Sequence, residues 1–490
     1  MAGGGALLHL PVLRWGAPYR SLDRVRLADV RSGAPVVEVS QANPGLVARD
    51  LGRAAAAQAS LGRLATAERL AIARRAAELF AHGELPVGDE TQTPERYLEQ
   101  LAATAGMPIA LGRRNLEKVR GVLAGLDAVL AGLTRGLDLA VLDAGYGALP
   151  SGRVSFRREA DALGLVLPSN SPGVHALWLP ALALGVAVAI KPGRQEPWTP
   201  YRIAQAFVAA GAPPEAFGFY PGDHAAASEL LLRCGRSLLF GDAGTVAPWR
   251  GDPRVEIHGP GWSKVVFGGD AAAAWREHLD VLVSSVAENG GRSCINASGI
   301  RTPAQGRALA EALAERLAAI EARPLDDPAA ALAAFPSRAA ADRLSAAIDR
   351  QLAAGGAEDL TARHRSSAGG RVVEVDGCAF LLPTVVWCED AGHPLAQAEY
   401  PFPFVSVVEL PEEELAERLG PSLVVSAITG DPGLRRRLLG ASHVDRLGFG
   451  AIPTCRVSWD QPHEGNLFEH LYRRRAFDLI DPVDLAEAVA

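Results

Sequence analysis

LGLVLPSNSPGVHALWLPALALGVAVAIKPG, residues 163–193, holds two short apolar runs separated by a turn and a helix-like segment. The runs LGLVL and VAVAI have the length of buried strands, and valine and isoleucine favour that state. GVHALWLPALALG between them reads as a crossover helix. The pattern continues with a helix WTPYRIAQAFVAAG, a strand AFGFY, a helix AAASELLLRC and a strand SLLF. Strands alternating with helices at this spacing predict a parallel sheet with crossover helices. Ligands on such sheets sit at the carboxyl ends of the strands. The residues placed there are Pro168–Pro172, Lys191–Arg194, Pro221–Asp223 and Gly241–Thr245. Turn formers with an amide, a lysine and backbone N–H groups suit a nucleotide crevice, although no GxGxxG is present. Plain strand-to-helix turns are the alternative.

A second stretch, ENGGRSCINASG (288–299), carries one of the five cysteines. Gly290 and Gly291 let the backbone and a flat cofactor approach closely. The thiolate is the reactive form of cysteine and is favoured by positive charge, for which Arg292 is the candidate. Cys294 is therefore the candidate nucleophile, and a buried structural cysteine is the alternative. Cys234, Cys378, Cys388 and Cys455 lie in apolar or strand contexts where the structural reading holds. An odd count with no Cys-x-x-Cys argues against a disulfide framework or a metal site and suits a reducing cytoplasm.

The rest of the composition bounds the answer. The 490 residues are enough for two or three domains. A net charge of −7 leaves no footprint for nucleic acid or an anionic membrane. The N-terminal MAGGGALLHLPVLRWG lacks the basic region of a signal peptide. The longest apolar run, ALWLPALALGVAVAI, is shorter than the ~20 residues of a membrane span. Of 49 basic residues only Lys118, Lys191 and Lys264 are lysine, which directs attention to places that need a compact ammonium.

Residues 1–50 read as short strands and turns, and 51–133 as helices. In RLATAERLAIARRAAELF, Leu70, Ala73, Ala77 and Phe80 share a face, with Thr66 as N-cap. GRVSFRREADALGLVLP alternates like a β-ribbon before its apolar strand. From Val255 a second α/β segment begins. The alanine- and arginine-rich stretch from Ala331 to Gly370 reads as peripheral helix and loop.

Taken in order, these segments resemble the aldehyde dehydrogenase superfamily. LPSNSP is similar to the family's Pro-Trp-Asn-Phe-Pro turn, with Ser169 in place of Trp. PALALGVAVAIKPG resembles Pro-Ala-Leu-Ala-x-Gly-Asn-x-Val-Val-x-Lys-Pro. AGAPPEAFGFYPGD, LLFGDAGTV, NGGRSC, LLPTVVW and AEYPFPFVSVV resemble further family elements, LLFGDAGTV only distantly and AEYPFPF with Pro401 in place of Phe. The resemblance runs from about residue 50 to 455. It implies an α/β fold with a Rossmann-like cofactor-binding domain (1–134 and 160–253), an α/β catalytic thiol domain (254–455) and a small β oligomerisation element (hairpin 135–159 with tail 456–490). A homodimer or homotetramer follows from the hairpin VSFRREAD.

The resemblance also implies chemistry: NAD(P)-dependent oxidation of an aldehyde to a carboxylic acid through a Cys294 thiohemiacetal and thioester. Asn170 and the Cys294 N–H would hold the oxyanion. Glu256, in VEIHGPGWSK, would be the general base, although the family's glycine pair after it has become His258-Gly259. Lys191 would bind the adenosine ribose, and Glu399 the nicotinamide ribose. Pro168, Gly222, Gly241 and Thr245 would line the cofactor crevice. Family members that prefer NAD often carry Glu where this chain has Arg194, with Glu196 displaced by two; a guanidinium there suits a 2′-phosphate and favours NADP over NAD. The alternatives are a coenzyme A-acylating dehydrogenase, which lacks the base, a relative that reduces an activated acyl group, and a catalytically silent oligomeric protein. WDQPHEGN matches no family motif. Its His463 and Glu464 either line the substrate end or fix a subunit contact, and the structural role is preferred.

Overall fold

The computed structural model describes residues 7–149, 152–365 and 370–478. The tail beyond 478 and the turn of the hairpin expected for oligomerisation lie outside the described residues. Two seven-stranded sheets organise the chain. The first runs, from one edge, Val255–His258, Arg236–Phe240, Ala162–Val166, Ala187–Lys191, Phe217–Phe219, Val12–Arg14 and Ala17–Tyr19. Its first five strands are parallel, and an N-terminal hairpin closes the far edge antiparallel.

Strand order explains where a ligand would sit. The chain enters at Ala162–Val166 and steps outward through Ala187–Lys191 to Phe217–Phe219. It then returns to the other side for Arg236–Phe240 and Val255–His258. The order reverses between Ala162–Val166 and Arg236–Phe240, and the crevice outside those strand ends is a topological switch point. Pro168–Asn170 and Gly241 stand at its two lips.

The second sheet has the order Ala357–Asp359, Thr384–Cys388, Phe404–Glu409, Ala297–Thr302, Ser263–Phe267, Ser422–Ile428 and Val444–Phe449. Only its edge strand Ala357–Asp359 is antiparallel. Val255–His258 pairs with Arg236–Phe240, so the change of sheet falls after His258 and not at 253/254 as the sequence suggested. A third sheet pairs Tyr146–Leu149 with Gly152–Arg158, and the latter with Tyr472–Arg475 from the tail.

Two local expectations change. Thr66 is the first helical residue of Thr66–His82, not its N-cap; the N-cap is Ala65, whose N–H donates to Glu68 at 2.7 Å. Thr66 instead donates its own N–H and hydroxyl to Asp143. GVHALWLPALALG is not one helix but a 3₁₀ turn, Pro172–Leu177, and a single α-turn, Pro180–Ala183. Pro180 cannot donate a helical hydrogen bond and clashes with the preceding turn, so the helix restarts there. Among the described residues no helix is long and apolar enough to cross a membrane.

Candidate active site

The chain converges on a cavity of about 360 Å³ at the switch point, between the first sheet and the second. That volume is in the range of small-molecule sites. Cys294, Asn170, Glu399, Pro168 and Gly241 all line it.

Cys294 is delivered by the loop after the helix Leu279–Ala287. Asn289, Gly290 and Gly291 take φ of +55°, +67° and +69° in succession, which turns the chain back on itself. A Cβ on Gly291 would lie 2.4 Å from the Pro403 nitrogen, so only glycine lets the Cys294 loop meet the segment that carries Glu399 and Pro401, just ahead of the strand Phe404–Glu409. Asn289 ties the same loop to the crevice: its amide donates to Ser171 at 2.9 Å and Ser293 at 3.1 Å, and its oxygen accepts from Asn115 at 2.7 Å. On the other side, a Cβ on Gly261 would overlap the Cys294 carbonyl at 2.0 Å, and Ser263 Oγ donates to that carbonyl at 2.9 Å.

Burial pushes the Cys294 thiol well above its ordinary pKa, and the carboxylates of Glu464 and Glu399 push the same way. The cation that opposes them is Lys118, not Arg292. Arg292 is buried and donates to the carbonyls of Ala105 (2.8 Å) and Ala334, so its charge anchors the base of the loop. Lys118 lines the cavity, with its ammonium 5.8 Å from the centre of the Trp459 ring. Burial lowers its pKa, and the Cys294 thiol is the foremost group opposing that.

Asn170 Nδ2 donates to the Arg292 carbonyl at 2.8 Å, which sets the amide against the Cys294 loop and leaves its second N–H free of that bond. Glu399 is held by the Trp262 N–H at 2.6 Å; burial raises its pKa to about 7.

The expected general base is the exception. Glu256 does not line this cavity but a smaller one behind it, of about 50 Å³. Glu256 and His258 are two residues apart on one strand and so face the same side, and His258 is the one that reaches the Cys294 cavity. Its ring stacks on Phe240 with centroids 4.3 Å apart. His463, from the unplaced segment WDQPHEGN, lines both cavities.

The remaining cofactor candidates stand at the neighbouring strand ends. Lys191 ends Ala187–Lys191, where burial, and then Arg194, depress its ammonium's pKa against Asp223. Arg194 is exposed and forms no salt bridge among the described residues. Glu196 is buried and committed to the Thr199 N–H and hydroxyl at 2.8 and 2.7 Å. Gly222 follows Phe217–Phe219, and Thr245 lies in the short helix Ala243–Val246 with its N–H donated to Asp242. This donor set fits a nicotinamide dinucleotide: cations at the outer strand ends for ribose and phosphate oxygens, a carboxylate beside the thiol for hydroxyl groups.

A profile described as the aldehyde dehydrogenase family matches residues 20–237. A betaine aldehyde dehydrogenase of Cereibacter sphaeroides is 28% identical over 404 residues, covering 79% of this chain and 76% of that protein. The chain thus resembles the aldehyde dehydrogenase superfamily. Solved members of this superfamily share its fold across almost the whole length. An aldehyde dehydrogenase from Pseudomonas aeruginosa superposes with a TM-score of 0.78 at 17% identity, covering 96% of each chain. An indole-3-acetaldehyde dehydrogenase complexed with NAD+ gives 0.75 at 18% identity, with 96% of each covered. The signals for the residues not singled out beforehand were slight: the rarity of lysine for Lys118, and the loss of a family glycine for His258.

Proposed function

We propose that this chain oxidises a small-molecule aldehyde to the carboxylic acid with NAD(P), through a covalent Cys294 thioester. The convergence of Cys294, Asn170 and Glu399 on one cavity at the switch point carries this reading. Lys118 opposes the burial that keeps the thiol protonated and so favours the thiolate. The thiolate attacks the carbonyl carbon, the C–S bond forms, and the carbonyl oxygen becomes an oxyanion. Asn170 and the Cys294 N–H are the donors that hold it, and preorganised donors of this kind supply a large share of such catalysis. When bound, the nicotinamide supplies the acceptor for the hydride that leaves the same carbon. Glu399 orients the cofactor through its ribose, and Lys191 and Arg194 bind the distal end. Arg194, free of a carboxylate partner, favours the extra phosphate of NADP.

A coenzyme A-acylating activity is the second reading, because Glu256 stands outside the Cys294 cavity. An aldehyde panel followed by NAD(P)H formation, with and without coenzyme A, tests both. NAD(P)H and free acid without coenzyme A support oxidation to the acid. An absolute requirement for coenzyme A establishes acyl transfer instead. The sheet formed by Gly152–Arg158 and Tyr472–Arg475 is the proposed site of homo-oligomer formation, tested by sedimentation. All five cysteines are free, which suits a reducing compartment.

A further inference from the structure

Thioester formation leaves one buried polar cluster without a task. His258 Nδ1 lies 2.7 Å from Glu464 Oε2, and its Nε2 lies 3.3 Å from Glu256 Oε1. Burial alone would strip this imidazole of its proton, but the two carboxylates outweigh it and raise the pKa to about 10. Glu464 is correspondingly ionised: burial works against its charge, yet His258 above all holds it down at about 2. The three groups thus form an imidazolium between two carboxylates, too strongly protonated to act as a base.

His463 is different. Its Nδ1 lies 3.7 Å from Glu464 Oε2, buried and without a hydrogen bond. Burial lowers its pKa, with Arg446 and His258 adding to that and Glu464 opposing it, so the ring is neutral near pH 7. Nδ1 faces Glu464, and the residue lines the cavity that also holds Cys294. A neutral imidazole on the wall of a reaction chamber, backed by a fixed carboxylate, is equipped to take a proton and to be stabilised once it has.

We propose that His463 is the general base that activates water for hydrolysis of the Cys294 thioester, with Glu464 as its positioning residue. This rests on the thioester reading above. Water gives a proton to His463 Nε2 as its oxygen bonds to the acyl carbon, and the oxyanion is held by Asn170 and the Cys294 N–H. The C–S bond then breaks with its electron pair on sulfur. The thiolate recovers the proton from His463, so acid and free thiol are the products. Glu464 stabilises the imidazolium between these steps. His258, held also by Glu256, keeps Glu464 in place.

The test is rapid mixing of the full-length protein with aldehyde and NADP. Wild type should show NADPH formation, or NADH formation where NAD replaces NADP, and failure with both cofactors overturns the thioester reading and this one together. His463→Gln should keep a burst of NADPH stoichiometric with Cys294, then turn over about 10² to 10⁴-fold more slowly. Added hydroxylamine, which needs no base to attack a thioester, should restore turnover. A burst followed by undiminished turnover overturns the role of His463 while leaving the thioester reading intact. Glu256→Gln should slow turnover less than His463→Gln, and the reverse order overturns the assignment. Glu464→Gln keeps the imidazole and supplies a second reading should His463→Gln not fold. Removing the carboxylate should shift the acidic limb of the deacylation profile, where the rate rises as His463 loses its proton, to lower pH, and an unmoved limb contradicts the coupling.

Discussion

At the cofactor end of the cavity the walls are strand ends of one parallel sheet, Pro168 and Asn170 after one strand and Gly241 after the next, with Lys191 and Arg194 at the neighbouring strand end. At the opposite end the walls are assembled from distant pieces, His258 from the sheet edge and His463–Glu464 from a segment some 200 residues later; His258 and Glu464 are 206 positions apart. The first end is built from consecutive strand-end residues, the second from residues that only the tertiary fold brings together. Forming the thioester asks for features the sheet imposes: a crevice, a strand-end amide and a cation. Releasing the acyl group asks only for a base within reach, which several positions can supply.

Four substitutions probe this contrast, beginning with the largest effect. Cys294→Ala should abolish NAD(P)H formation from aldehyde altogether, including the first turnover; a surviving burst would place the nucleophile elsewhere. Asn170→Ala should lower kcat by about 10² to 10³-fold, the usual cost of one oxyanion donor, with little change in cofactor binding. Should Asn170→Ala lower only the rate after the burst, the amide serves release and not thioester formation. Arg194→Ala should cut kcat/KM for NADP about tenfold, about 1.4 kcal/mol, and leave NAD nearly unaffected. A clear preference of the wild type for NAD would show instead that Arg194 points to solvent.

The smallest effect concerns pH. Burial raises Glu399 from 4.5 to about 7, so between those values the folded chain keeps a proton that the unfolded chain has released. Stability from this group is complete below about pH 4.5 and is lost as pH rises through about 7. Glu399→Gln should flatten that part of the stability profile in urea titrations at several pH values. An unchanged slope would mean that other groups govern it.

Much of this was legible in the sequence, for physical reasons that also mark its limits. Apolar runs of strand length separated by helical stretches can be buried only in a layered α/β fold, so the sheet and its strand-end residues followed. The turn ahead of Cys294 was legible because successive residues with positive φ favour glycine and leave a local trace. Glu256 was misplaced because alternation says that 256 and 258 share a face, not which of them clears the sheet edge. Arg292 was misread because its carbonyl partners, Ala105 and Ala334, lie far away in the chain. His463 and Glu464 carry no local pattern, since their meaning comes only from His258. The boundary at 253/254 failed because a short edge strand, Val255–His258, looks the same whichever sheet it joins.

The central claim is a covalent acyl group on Cys294, and the most direct measurement is acid quench followed by peptide mass spectrometry. With aldehyde and NADP, His463→Gln should accumulate the acyl mass on the Cys294 peptide in step with the NADPH burst. NADPH formation with that peptide unmodified, or the acyl mass on another residue, would contradict it.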